Sequence, residues 1–110
     1  MKESPLFIKT YDLAKWLLEH TAKFPRSQRH ILAHRIEDAI LSFQELLLWA
    51  VKDSNARAVT LLKASYELER LRLCVRLSTD MKLLSIKQYE FVSHQMVEVG
   101  NMLGGWIKKK

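Results

Sequence analysis

The chain has 110 residues and a single cysteine, so it is of one-domain size and has no disulfide framework. It is 48% hydrophobic with only three glycines and two prolines. That is too little turn-forming material for an all-β domain, and long helices on short connections are predicted instead. Eighteen Lys and Arg against twelve Asp and Glu leave a net charge of +6, which points to an anionic partner.

The start, Met1-Lys2-Glu3-Ser4-Pro5, lacks the apolar core of a signal peptide. Helix one is predicted over residues 5–23, with Ser4 as cap and Pro5 in the first helical position. Its expected core stripe is Phe7, Tyr11, Ala14, Leu18 and Thr21. Phe24-Pro25 breaks it. Helix two is predicted over 27–51, striped by Leu32, Ile36, Ala39, Phe43, Leu46 and Ala50. Asp53-Ser54-Asn55 is the next break. Helix three is predicted over 56–79, striped by Leu61, Ala64, Leu68, Leu71 and Val75. Helix four is predicted over 85–107, opened by the capping box Ser85-Ile86-Lys87-Gln88 and striped by Tyr89, Val92, Met96, Val99, Leu103 and Trp106. Stripes at spacings of three and four, joined by short loops, read as one domain: an antiparallel up-down four-helix bundle. No apolar run exceeds Leu46–Val51, so no membrane span is predicted.

Such a bundle does not use all the apolar surface. Leu46-Leu47-Leu48-Trp49 points in four directions, and Leu71, Leu73, Cys74, Val75 and Leu77 crowd helix three in the same way. Surplus apolar surface of this kind marks self-association. The expected interface residues are Leu48, Trp49, Leu73 and Leu77, with Gly100, Gly104 and Trp106 on helix four. All three glycines lie in that last helix, where each costs about 1 kcal/mol against alanine. Gly100 and Gly104 share one face, so a neighbouring helix is expected to approach them closely. The competing reading is a glycine C-cap at Gly104 or Gly105.

Charge adds a second expectation. Residues 54–80 carry net +2 and residues 81–110 net +3. The third helix is arginine-biased, with Arg57, Arg70, Arg72 and Arg76 beside Lys63. Arginine's planar fork suits phosphate oxygens. Arg26, Arg29, Lys63, Arg70, Arg72 and Arg76 are therefore the candidate nucleic-acid-binding residues. Local pairing of Glu67 with Arg70, and of Glu69 with Arg72 or Arg76, is the plainer use of the same charges. His30, His34 and Asp38 recur every fourth residue, but no HExxH pattern accompanies them and Arg29 and Arg35 oppose a cation. No nucleophile–base pair, glycine-rich phosphate loop or paired carboxylates stands out. No catalytic residue, metal or cofactor is expected.

Several segments carry a family resemblance. They are Phe24-Pro25-Arg26, Arg35-Ile36-Glu37, Leu68-Glu69-Arg70-Leu71-Arg72, Val75-Arg76-Leu77, Leu83-Leu84-Ser85 with Tyr89, and above all Gly100-Asn101-Met102-Leu103-Gly104-Gly105-Trp106. From about Leu6 to Ile107 the chain resembles the accessory variability determinant (Avd) proteins of bacterial diversity-generating retroelements. The resemblance implies a homopentameric four-helix barrel with a basic surface in a bacterium, and the lone Cys74, without a disulfide framework, fits a cytoplasmic location. It implies binding to the element's reverse transcriptase and to template RNA or single-stranded DNA, in support of mutagenic cDNA synthesis, without catalysis of its own. The alternative is the similar four-helix proteins encoded in intervening sequences of bacterial 23S ribosomal RNA genes, acting as a structural oligomerisation or general nucleic-acid-binding module.

Overall fold

The computed structural model describes residues 4–109. Met1–Glu3, with most of the expected non-signal start, and Lys110 of the terminal lysines lie outside the described residues. The described residues form four helical rods and no strand. The first rod, α1, is Pro5–Thr21. The second, α2, opens with a single turn Arg26–Gln28, passes through a π-helical segment Arg29–Ala33 and continues as a regular helix His34–Lys52. Then follow α3, Arg57–Asp80, and α4, Ile86–Lys109.

Each boundary has a local cause. Ser4 Oγ accepts the Phe7 N–H at 3.4 Å, with Pro5 in the first turn. Asp53 Oδ1 accepts the N–H groups of Asn55 and Ala56 and so turns the chain into α3. The Arg57 guanidinium reaches back to the carbonyls of Ala50 and Val51, satisfying acceptors left open at the end of α2. Helix α3 ends in a Schellman arrangement: Leu83 N–H bonds to the Ser78 carbonyl at 2.8 Å and Lys82 N–H to that of Thr79 at 2.9 Å. Lys82 takes the left-handed position usually given to glycine, with φ 67°. The expected capping box opens α4, with Ser85 N–H donating to Gln88 Oε1 and Gln88 N–H to Ser85 Oγ.

Connections of four or five residues span at most about 17 Å, far less than the roughly 36 Å of a 24-residue helix. Consecutive rods must therefore run antiparallel. They pack in a ring, α1 on α2, α2 on α3, α3 on α4 and α4 on α1. The overall extents of 42 × 24 × 21 Å fit one helix length by two helix diameters each way.

The expected stripes of α2, α3 and α4 supply most of the core. Leu61, Ala64, Leu68, Leu71 and Val75 are buried, as are Phe43, Val92, Met96, Val99 and Leu103. On α2, Leu47 and Ile40 face inward, while Leu46 is only half-buried. Helix α1 differs from its expected register. Leu6, Thr10, Leu13, Ala14, Leu17 and Thr21 face the core, while Tyr11 and Leu18 are exposed. The adopted face buries three leucines and leaves the Tyr11 hydroxyl in water, where it needs no protein partner.

The glycines also correct the sequence reading. Helix α4 continues to Lys109, so neither Gly104 nor Gly105 is its C-cap. Within this chain, Gly100 makes room for a side chain from α3. A Cβ there would lie 2.5 Å from Arg72 Nη2, and Leu68 Cδ2 lies 3.5 Å away. At Gly104 and Gly105 a Cβ would meet nothing within 4 Å among the described residues.

Candidate nucleic-acid interface

The candidate cations divide into engaged and free groups. Arg70, on α3, bridges two helices: its Nη2 lies 2.8 Å from Asp38 Oδ2 on α2, and its Nε donates to Glu67 Oε1 at 2.9 Å. The hydrogen bond to Asp38 leads the effects that raise its pKa further, against the opposing cost of burial. Arg72 points the other way. Its Nη1 pairs with Glu69 at 3.2 Å, and its Nη2 donates to the Met96 carbonyl of α4 at 3.3 Å, in the space that Gly100 leaves. The pairings of Glu67 with Arg70 and Glu69 with Arg72 thus both form, and each arginine also ties α3 to a neighbour.

Arg26, Arg29, Lys63 and Arg76 are exposed and make no ion pair among the described residues. Lys63 stands on the α2 side of α3, and Arg26 and Arg29 lie on the first turns of α2. Arg35 belongs with this set although its residue pattern does not mark it. It lies close enough to Cys74, with Arg70, to oppose the rise that burial imposes on the thiol pKa. The signal was available, since Arg35 precedes Asp38 by three residues and so shares its face. Of that face, Asp38 is held by Arg70, while His30 and His34 are exposed.

The apolar candidates lie mostly in the open. Leu48, Trp49, Leu73 and Leu77 are all exposed, Leu73 at 67%. They belong to a larger surface. Val59, Leu62, Tyr66, Leu73 and Leu77 follow one another at spacings of three, four and seven along the outer side of α3. This second stripe lies opposite the buried one and runs for about 27 Å. Where it meets α2 it forms a groove of about 690 Å³ walled by Leu46, Trp49, Val59, Leu62 and Tyr66, with Glu45, Lys63 and Glu67 at its edges. Val59, Leu62 and Tyr66 were legible from the same spacing that marks a helix face, but the inward stripe of α3 masks them. Trp106 is half-buried against α1, its ring 6.3 Å from that of Phe7. Gly104 is half-exposed, and its neighbours Gly105 and Trp106 line a depression of about 670 Å³ with Phe7, Val51 and Met102.

A family model described as bAvd-like matches residues 6–110. The chain belongs to the bAvd-like family. No curated protein matches it. Among the described residues no helix is long and apolar enough to cross a membrane.

Proposed function

We propose that this bAvd-like chain is a non-catalytic accessory protein of a diversity-generating retroelement. It self-associates, as a homopentamer, through the outer face of α3 and the α2–α3 groove, and it holds template RNA or single-stranded DNA and the element's reverse transcriptase on a basic surface. Family membership supports the accessory role. The observation that carries the rest is the double character of α3, which has an apolar stripe on its buried side and another on its exposed side. A helix apolar on both sides belongs in an interior, and a second copy provides one. Exposed cations without an ion pair among the described residues lie on the same two helices: Arg76 within the stripe in sequence, Lys63 at the groove, and Arg26, Arg29 and Arg35 on α2.

Phosphate contacts supply affinity with little sequence selectivity. Binding to single strands is expected to weaken with salt at a log–log slope of about −0.7 per phosphate neutralised. The test combines light scattering with RNA binding measured across a salt series. Replacing Arg76, Arg26 and Arg29 together by alanine is expected to preserve folding and assembly, flatten the slope and lower affinity alike for unrelated RNA sequences. A parent mass near 12.9 kDa at micromolar concentration would overturn self-association. RNA binding of the triple variant equal to the parent's would remove these cations from the interface. Loss of cDNA synthesis with RNA affinity kept would assign them to the polymerase contact.

A further inference from the structure

On the flank of the bundle away from the α2–α3 groove, α1 and α4 bring four side chains together at spacings of one helical turn. Trp16 and His20 are four apart on α1, and Lys87 and Phe91 are four apart on α4. The indole of Trp16 and the imidazole of His20 are stacked, with centroids 3.6 Å apart and planes within 17°. His20 is held in that pose because its Nδ1 lies 2.7 Å from the Trp16 carbonyl. A carbonyl only accepts, so Nδ1 is the donor and Nε2 is the ring's remaining polar atom. The Phe91 ring approaches Trp16 at 5.7 Å with planes 36° apart, and 51% of Phe91 is exposed.

Trp16, His20, Lys87, Gln88 and Phe91 enclose a depression of about 240 Å³. That is below the roughly 300–1,000 Å³ of small-molecule pockets, so the space suits one ring system lying against an aromatic wall. Among the described residues no carboxylate lines it. The orientation of Gln88 is fixed by the capping box, since its Oε1 accepts the Ser85 N–H and its amide nitrogen is left as donor. Lys87 adds a cation. Aromatic faces beside a cation are the combination by which proteins hold single strands. A second, larger depression of about 720 Å³ shares Lys87 and Phe91 and is lined also by Tyr89, Glu90, Ser93 and His94. The surface therefore continues past Phe91 in the manner of a strand path.

We propose that Phe91 and the Trp16–His20 stack form a platform for an unpaired nucleobase of single-stranded nucleic acid, with Lys87 at the adjoining phosphate. This rests on the nucleic-acid-binding reading above and adds to it a base-contacting site on a different face from the α3 arginines. The site takes any base, because every base has a π-face, and it rejects duplex, whose bases are stacked on one another.

The test measures binding of a single-stranded oligoribonucleotide to the full chain by fluorescence anisotropy. Phe91→Ala is expected to weaken binding by about five-fold to about a hundred-fold, with the salt slope unchanged because no phosphate contact is lost. Phe91→Leu, which keeps apolar bulk and guards against a folding defect, is expected to lose most of the same affinity, and Phe91→Tyr to retain it. An abasic oligonucleotide of equal length and charge is expected to bind the parent and Phe91→Ala alike. Equal affinity of Phe91→Ala and the parent for the intact strand would overturn the platform while leaving the phosphate surface standing. So would unchanged RNA affinity with lost reverse-transcriptase association, which would make this a protein-docking face. A parent that binds no oligonucleotide at low salt would instead overturn the nucleic-acid reading itself, and the platform with it.

Discussion

Gly100→Ala tests whether the glycine exists for Arg72. In an unconstrained helix interior, alanine in place of glycine stabilises by about 1 kcal/mol. Here the new Cβ would stand 2.5 Å from Arg72 Nη2, so the guanidinium must leave the Met96 carbonyl. A charge-assisted hydrogen bond is worth about 1.5–3 kcal/mol. This one is long, at 3.3 Å, and the Arg72 side chain is 36% exposed, so solvent screening puts it at or below the lower limit. The two effects nearly cancel, and the single variant is expected to melt within about 2 °C of the parent, at roughly 4 °C per kcal/mol for a chain of this size. In an Arg72→Ala background nothing opposes the new methyl, and the same substitution is expected to raise the melting temperature by about 4 °C. Thermal melts of the four proteins form a double-mutant cycle with a coupling of about 1 kcal/mol. An equal gain in both backgrounds would refute the account, leaving Gly100 without a role in the single chain.

Leu68→Ala removes a buried side chain from the bundle centre and is expected to cost about 2–5 kcal/mol, or roughly 8–20 °C in a melt; an unchanged melt would contradict the register of α3. Lys82→Gly relieves a left-handed residue, and equilibrium denaturation is expected to show a gain of about 0.5–1 kcal/mol after the added freedom of the unfolded chain is deducted. Burial raises the Cys74 pKa against the opposing influence of Arg70 and Arg35, so the fold favours the protonated thiol. That contribution is complete below the thiol's unfolded pKa and is lost as pH rises through the folded one, so stability should decline in alkali more steeply for the parent than for Cys74→Ala, and alkylation of the native thiol should be slow beside that of the denatured chain. Leu73→Lys alters a residue 67% exposed in the single chain; light scattering is expected to show loss of assembly, with helicity by circular dichroism unchanged.

The fold was largely legible because each break carries its own chemistry. Ser4-Pro5, Phe24-Pro25, Asp53-Ser54-Asn55 and the Ser85–Gln88 box mark the helix ends without reference to the rest of the chain. Burial on α3 and α4 followed from spacing, since each has one periodic stripe of large aliphatic residues on its inner side. Helix α1 offered two overlapping stripes, sharing Ala14 and Thr21, and only packing against α2 and α4 chose between Leu17 and Leu18. The arginines show the opposite limit. That Glu67 and Glu69 are three residues from their partners is a property of the sequence. That Asp38 receives Arg70 from 32 residues away, or that Gly100 receives Arg72, depends on which helices become neighbours. A stripe of helical spacing signals a face but does not say what covers it, so Val59, Leu62 and Tyr66 were hidden beside the stronger inward pattern of the same helix.

The engaged and free arginines serve different ends. Arg70 and Arg72 extend from opposite edges of α3, one to α2 and the other to α4, so the helix with two apolar sides is clamped laterally by charge. The clamp holds α3 in one rotational setting, which apolar contacts alone would fix poorly, because turning the helix about its axis would offer the core a second acceptable stripe. Orientation matters here because the stripe left outside decides where another copy can sit. Arg76 falls between Leu73 and Leu77 in sequence, is exposed, and makes no ion pair among the described residues. Self-association along the stripe would set one such arginine beside each contact, and a ring of copies would raise the local field without any further residue. A platform on the α1–α4 flank would then stay clear of the contacts between copies, leaving bases and phosphates to be held on separate surfaces of the same assembly.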